Sequence, residues 1–162
     1  MFRLTEHKLI CVVFLVFLVF QNQRNLALAQ GGFVQTRGTH FIVNGSPFYV
    51  NGFNVYWMVQ MASNPSTRGK VTSIFQQASS YGLTEARTWA FSDGGYRPLQ
   101  ISPGSYNEDM VKGLDFVISE ARRYGVCLML SFVNNYKDLG GRPQWARNQG
   151  QSLSSDDDYF SV

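Results

Sequence analysis

The chain has 162 residues and carries 14 Lys and Arg against 11 Asp and Glu, a formal net charge of +3. Arg3, Lys8 and Arg24, against Glu6, lie in the first 29 residues, so from Gln30 onward the balance is 11 basic to 10 acidic. A chain this close to neutral, with no clustered basic face, is not expected to bind nucleic acid. Beyond residue 29 its only His and Cys are His40 and Cys127, too few for a His/Cys metal centre, so no metal and no cofactor are expected.

Residues 1–29 read as a secretory signal peptide. Arg3, His7 and Lys8 give a basic start, Leu9 to Phe20 is an uncharged apolar run, and Ala27-Leu28-Ala29 is a small-x-small cleavage site. The run is shorter than the roughly 20 residues of a spanning helix. A secreted, extracellular product starting near Gln30 is expected, with no membrane attachment after cleavage. N-terminal sequencing of protein from a eukaryotic secretory host tests this; a product starting at Met1 overturns it. Cleavage removes Cys11 and leaves Cys127 with no internal partner; within the apolar stretch Val126–Val133 it is expected to be buried and inert.

Phe41-Ile42-Val43, Asn44-Gly45 and Phe48-Tyr49-Val50 spell a hairpin, because Asn-Gly accepts the left-handed dihedrals of a type I′ turn. Asn44-Gly45-Ser46 is also a glycosylation sequon. From Phe48 to Asn54 the pattern continues as a strand into an aromatic loop, Tyr56-Trp57. A helix is predicted to start at Asn64-Pro65, with Val71, Ile74, Phe75 and Ala78 on one face, and to end at Gly82. Leu83 to Thr88 reads as a strand and Ser92 to Tyr106 as a loop rich in Gly, Ser and Pro. A second helix starts at Asn107, with Met110, Leu114, Val117, Ile118 and Ala121 on its apolar face, and ends at Gly125. The strand Val126–Val133 follows.

The repeated helix exits Tyr81-Gly82-Leu83 and Tyr124-Gly125-Val126 mark a βα period, and strands of nearly continuous apolar residues argue for a parallel sheet covered by helices. A doubly wound sheet commonly has a glycine-rich loop after its first strand; here that position is aromatic, which favours an α/β fold of the (β/α)8 TIM-barrel type. Such a barrel takes about 250 residues, so this sequence is expected to hold the N-terminal hairpin and the first three βα units of one, as a single domain from residue 30 to 162.

In a βα barrel the working residues sit where strands run into the following loops. The first junction offers Asn54, Tyr56 and Trp57, the second Arg87, Trp89 and Asp93, the third Asn134 and Asn135. Aromatic rings beside amides and a guanidinium suit a sugar, whose C–H face stacks on a ring while its hydroxyls take hydrogen bonds. Glycoside hydrolysis needs two carboxylates across the scissile bond. Asp93 is at a junction, Glu85 lies deeper in the same strand as Arg87, and neither has a convincing partner; Asp156–Asp158 reads as a solvated loop.

The stretch ARTWAFSDGGYRPLQISPGSYNEDMVKGLDFVISEARRYG (Ala86 to Gly125), supported by NGFNVYWM (Asn51 to Met58), VNNYKDLGG (Val133 to Gly141) and GQSLSSDDDYF (Gly150 to Phe160), resembles plant endo-β-mannanases of glycoside hydrolase family 5. The resemblance covers essentially all of the chain from Gly32. It implies retaining endo-hydrolysis of β-1,4-mannan, glucomannan and galactomannan in the cell wall by a monomeric barrel. It also implies that Arg87 supports the nucleophile and that Trp89 binds substrate. The acid/base glutamate of such enzymes follows strand four and the nucleophile ends strand seven, so neither is assigned to a residue here, and the chain alone is expected to be inactive. The sequence departs from the resemblance at Glu85, where a small apolar residue is usual, in the shortened segment Gly140 to Trp145, and at Cys127. The alternative reading is a mannan-binding protein without hydrolysis.

Overall fold

The computed structural model describes residues 32–134, together with Gly141 and Gly150. The predicted leader, Asn135 and the segments around residues 142–149 and 151–162 lie outside the described residues. The chain divides into two compact units, Met1–Tyr49 and Val50–Val162.

In the first unit β1 (Gln35–Arg37), β2 (His40–Val43) and β3 (Ser46–Phe48) form an antiparallel sheet in the order β1-β2-β3. The predicted turn is present: Asn44 and Gly45 have φ of 50° and 78°, the two positive values a type I′ turn requires. Val43 pairs with Ser46 across it. Pro47, which has no N–H to give, sits opposite Ile42 on an edge strand, where it is tolerated. The sequence pattern missed β1, whose Gln-Thr-Arg has no apolar residue and is exposed throughout; it forms because β2 offers a free edge.

The second unit is built on three parallel strands, β4 (Gly52–Asn54), β5 (Glu85–Trp89) and β8 (Cys127–Ser131), adjacent in chain order. The predicted strand Phe48–Asn54 is therefore two strands: β3 ends at Phe48 with an antiparallel partner, and β4 starts at Gly52 with a parallel one. Helices α1 (Met58–Ala62), α2 (Arg68–Ser80) and α3 (Glu108–Arg123) complete the βα units. The short β6 (Gln100–Ser102) and β7 (Ser105–Tyr106) pair antiparallel inside what the sequence presented as a loop; Gly104, at φ 76°, turns between them.

Helix boundaries follow their caps. Asn64 accepts a hydrogen bond from the Ser66 N–H, but it caps a 3₁₀ turn, Pro65–Thr67, that leads into α2, not α2 itself. Asn107 caps α3 directly, its Oδ1 taking the N–H groups of Asp109 and Met110. Removing that cap, Asn107→Ala, should lower stability by about 1 kcal/mol, readable as a shift in urea midpoint with unchanged slope. Gly82 and Gly125, at φ 72° and 67°, close α2 and α3 in the left-handed conformation.

The core lies between the sheet and the helices. Met58, Ala62, Val71, Phe75, Val117 and Ala121 pack there with Ala86 of β5. Thr88, on the same side of β5 and fully buried, donates to the Val55 carbonyl at 2.9 Å, which satisfies its hydroxyl. Ile118, expected on this face, is 43% exposed, and Glu120 is buried instead, 3.4 Å from Arg123. Arg68 ties the helices together: Nε donates to the Ala62 carbonyl at 2.9 Å, and the guanidinium lies 4.8 Å from the centre of the Phe116 ring. No helix among the described residues is long and apolar enough to cross a membrane.

Candidate functional site

Strand alternation puts Gly52 and Asn54 of β4, Glu85, Arg87 and Trp89 of β5, and Cys127, Met129 and Ser131 of β8 on the sheet face away from the helices. The register makes rows of them. Gly52, Glu85 and Cys127 form the lowest row, Asn54, Arg87 and Met129 the next, and Trp89 and Ser131 the top. Two backbone hydrogen bonds carry the pairing past the strand ends, Val55 N–H to the Arg87 carbonyl at 2.9 Å and Ala90 N–H to the Ser131 carbonyl at 2.8 Å. They fix the levels at which the following loops begin.

At the top row aromatic side chains gather. Tyr56, just beyond β4, lies 5.0 Å from Trp89 between ring centres with a 44° tilt, and Phe91 lies 5.2 Å on, tilted by 34°. Separations of 4.5–7 Å with tilted planes are the favoured geometry of aromatic pairs. The expected site residues Asn54, Tyr56, Arg87 and Trp89 thus come together on one face and at one end of the sheet. Trp57 does not join them. It precedes α1 and packs, half-buried, against the helix-side core. The short helix α1 starts one residue later, where the sequence suggested loop; five residues are too few to show a helical period.

Asp93 is buried, 8% exposed, and its burial pushes the carboxyl pKa up. It stands in a loop drawn inward at Ser92, whose carbonyl receives the N–H groups of Leu99 and Gln100 at 2.6 and 3.2 Å. Asn134 is half-buried just after β8; Asn135 is outside the described residues. Phe91 was missed in the sequence, although it continues the alternation Arg87, Trp89, Phe91.

Below the aromatic rim, Glu85 is 9% exposed and its Oε1 is buried with no hydrogen-bond partner among the described residues. It fits because its neighbour has no side chain: a Cβ on Gly52 would overlap the Glu85 carboxylate and stand 2.9 Å from the Glu85 carbonyl oxygen. Burial raises the Glu85 pKa, offset in part by the Arg87 charge. Cys127, across from Glu85, is half-buried rather than buried as expected, since among the described residues no helix covers this face of the sheet. Its thiol pKa is pushed up by burial and then by the nearby Glu85 charge, which keeps it protonated and poorly nucleophilic.

Parallel strands in chain order, the first two leading into helices on one face of the sheet and carrying polar and aromatic side chains on the other, define the wall of a βα barrel. The comparisons agree. Residues 31–157 match the family described as GH family 5 beta-mannosidase-like. Over 138 residues the chain is 60% identical to mannan endo-1,4-beta-mannosidase 7 of Arabidopsis thaliana, covering 83% of this chain and 32% of that protein. Over 162 residues it is 51% identical to mannan endo-1,4-beta-mannosidase 4 of Solanum lycopersicum, covering 96% and 41%. The crystal structure of an endo-1,4-beta-mannanase from Rhizomucor miehei superposes with a TM-score of 0.66 at 29% identity, over 80% of this chain and 37% of that one. The chain belongs to glycoside hydrolase family 5, and it spans less than half the length of these relatives.

Proposed function

We propose that the chain supplies the first three βα units of a secreted, retaining endo-1,4-β-mannanase acting on mannan, glucomannan and galactomannan of the cell wall. The observation that carries this reading is the row arrangement at the sheet's open face, with Trp89 directly above Arg87 and Asn54 beside it. The similarity to mannan endo-1,4-beta-mannosidases of Arabidopsis thaliana and Solanum lycopersicum supports the substrate.

In this reading each side chain does one thing. The Trp89 indole offers its face to the C–H surface of a mannose ring. The Asn54 amide gives and takes hydrogen bonds with hydroxyls. The Arg87 guanidinium, permanently charged, lowers the pKa of a neighbouring carboxylate and keeps it ionised as a nucleophile must be. Retaining hydrolysis needs two carboxylates about 5 Å apart across the bond. Glu85 and Asp93 come from a single strand and the loop that follows it, not from facing walls of a cleft, so they do not supply an opposed pair. The 162-residue chain alone should therefore leave galactomannan viscosity unchanged.

The test joins residues 30–162 to the remaining units of a family 5 mannanase barrel. The hybrid should cut galactomannan. Trp89→Ala should weaken mannan binding by about 1 kcal/mol, roughly fivefold, while Arg87→Ala should lower kcat more than it changes KM. A hybrid that binds mannan and never cuts it favours the non-catalytic alternative; one indifferent to both substitutions removes both assignments.

A further inference from the structure

We propose that Tyr56 is a positioning residue which, with Phe91, holds the Trp89 indole in the orientation that stacks on a sugar ring, and that it does so through its own ring rather than its hydroxyl. The inference rests on the sugar-binding role of Trp89 given above and assigns what makes that role effective.

The argument starts from the freedom of a tryptophan at a strand end. Trp89 is the last residue of β5 and only half-buried. An indole in that position turns about two side-chain bonds and loses that freedom when a ligand stacks on it. Side-chain ordering of this kind weakens binding unless the protein has already done it. Here the ordering is done by two neighbouring rings. Phe91, two residues on in the same chain segment and 6% exposed, is a fixed neighbour 5.2 Å away. Tyr56 arrives from a different strand and stands 5.0 Å away on its own contact with the indole. Tyr56 is itself held at the right level, because the preceding residue, Val55, gives its N–H to the Arg87 carbonyl at 2.9 Å and receives the Thr88 hydroxyl on its own carbonyl at 2.9 Å. Both bonds join β4 to β5 within two residues of Trp89. The indole thus touches one ring from its own chain segment and one from the loop after the neighbouring strand, and the level of the second is set by hydrogen bonds between the strands.

Tyr56 is 56% exposed, so a direct hydrogen bond from its hydroxyl to substrate is the competing assignment, and the two make opposite forecasts. A supporting ring is preserved in Tyr56→Phe and lost in Tyr56→Ala or Tyr56→Leu; a hydroxyl contact is lost in all three. A residue that acts only through Trp89 contributes nothing once Trp89 is gone.

The experiment is a titration of the full chain with β-1,4-mannohexaose, followed by indole fluorescence and checked by retardation in a galactomannan gel. Trp89→Ala is expected to weaken binding about fivefold and to remove most of the fluorescence change. Tyr56→Ala and Tyr56→Leu should each weaken it about threefold or more, with rescue to within about twofold of wild type by Tyr56→Phe. Tyr56→Ala in the Trp89→Ala background should add no further loss. Equal losses in the Phe, Leu and Ala variants, or additive losses in the double variant, overturn the proposal. So does a Tyr56→Ala protein that binds like wild type while Trp89→Ala does not. A wild-type chain that binds no mannohexaose fails at the earlier step, the sugar-binding reading, and takes the proposal with it.

Discussion

Alanine at Gly113 is expected to destabilise the fold by about 1–3 kcal/mol, the range for overfilling a packed contact. The direction runs against helix propensity, which favours alanine over glycine inside a helix by about 1 kcal/mol. Gly113 lies within α3 and is buried. A Cβ there would stand 2.7 Å from the Ser63 nitrogen, 2.8 Å from the Val59 carbonyl oxygen and 2.9 Å from the Ser63 Cα. All three are backbone atoms of α1 and its C-cap residue, and two of them are the donor and acceptor of one hydrogen bond, Ser63 N–H to the Val59 carbonyl at 2.9 Å. No side chain can swing aside, so α1 or α3 must shift. A shift would also strain the Arg68 bond to the Ala62 carbonyl and its stacking on Phe116. Gly69 is the control. It lies in the first turn of α2 with nothing within 4 Å of a would-be Cβ, so Gly69→Ala should be neutral or stabilising by a few tenths of a kcal/mol. Thermal melts of the two variants should move in opposite directions; a Gly113→Ala protein at least as stable as wild type would show that the helices can separate freely.

What the sequence disclosed and what it hid divide along the range of the forces involved. The Asn44-Gly45 turn, the Asn107 cap and the Gly82 and Gly125 stops are local backbone chemistry, and each was legible. So was the parallel sheet, because strands covered by helices show runs such as Val126–Val133. Partnering was not legible. β1 is polar and exists because β2 offers it an edge, and α1 is a single short helix held by the core under it. Trp57 shows the same limit in the site. Next to Tyr56 in sequence, it has the same chemistry and the same loop, yet the start of α1 turns it to the core while Tyr56 meets Trp89. Position placed Arg87 and Trp89 on one strand face; only the structure could separate two adjacent aromatics or bring in Phe91. Asp93 was expected at a loop junction open to substrate. In the structure it is buried, next to a Ser92 carbonyl that takes the N–H groups of Leu99 and Gln100, pairings that no local pattern announces.

Replacing Glu85 should stabilise the protein at neutral pH, and the gain should shrink in acid. The residue is nearly buried, one carboxylate oxygen has no partner among the described residues, and the carboxyl lies against Gly52. An unsatisfied buried polar group costs about 1–3 kcal/mol, more when charged. Arg87, one row up on the same strand face, attracts the charge but only partly offsets the effect of burial, so the pKa remains raised above 4.5. The sign follows from linkage. A group whose pKa is higher in the folded than in the unfolded state binds its proton more tightly when folded. Its contribution to stability is fully present below the unfolded value, near 4.5, and is lost as the pH rises through the folded value. Wild-type stability should therefore fall across that window relative to Glu85→Gln, which cannot ionise. Asp93, raised by burial as well, contributes a slope of the same sign to both proteins, and their difference removes it. Glu85→Val, which also abolishes the unsatisfied Oε1, should be the more stable variant at pH 7, by about 1–3 kcal/mol over wild type. It should also bring the Cys127 thiol pKa down toward its ordinary value, since the Glu85 charge is one of the two influences raising it, so iodoacetamide should alkylate Cys127 faster in the variant at mildly alkaline pH. Urea unfolding of wild type, Glu85→Gln and Glu85→Val from pH 4 to pH 8 measures all of this except the alkylation rate. Parallel pH profiles for the three proteins, or a Glu85→Val protein less stable than wild type at pH 7, would mean that the carboxylate has found a partner on the open face of the sheet and that its charge supports the fold.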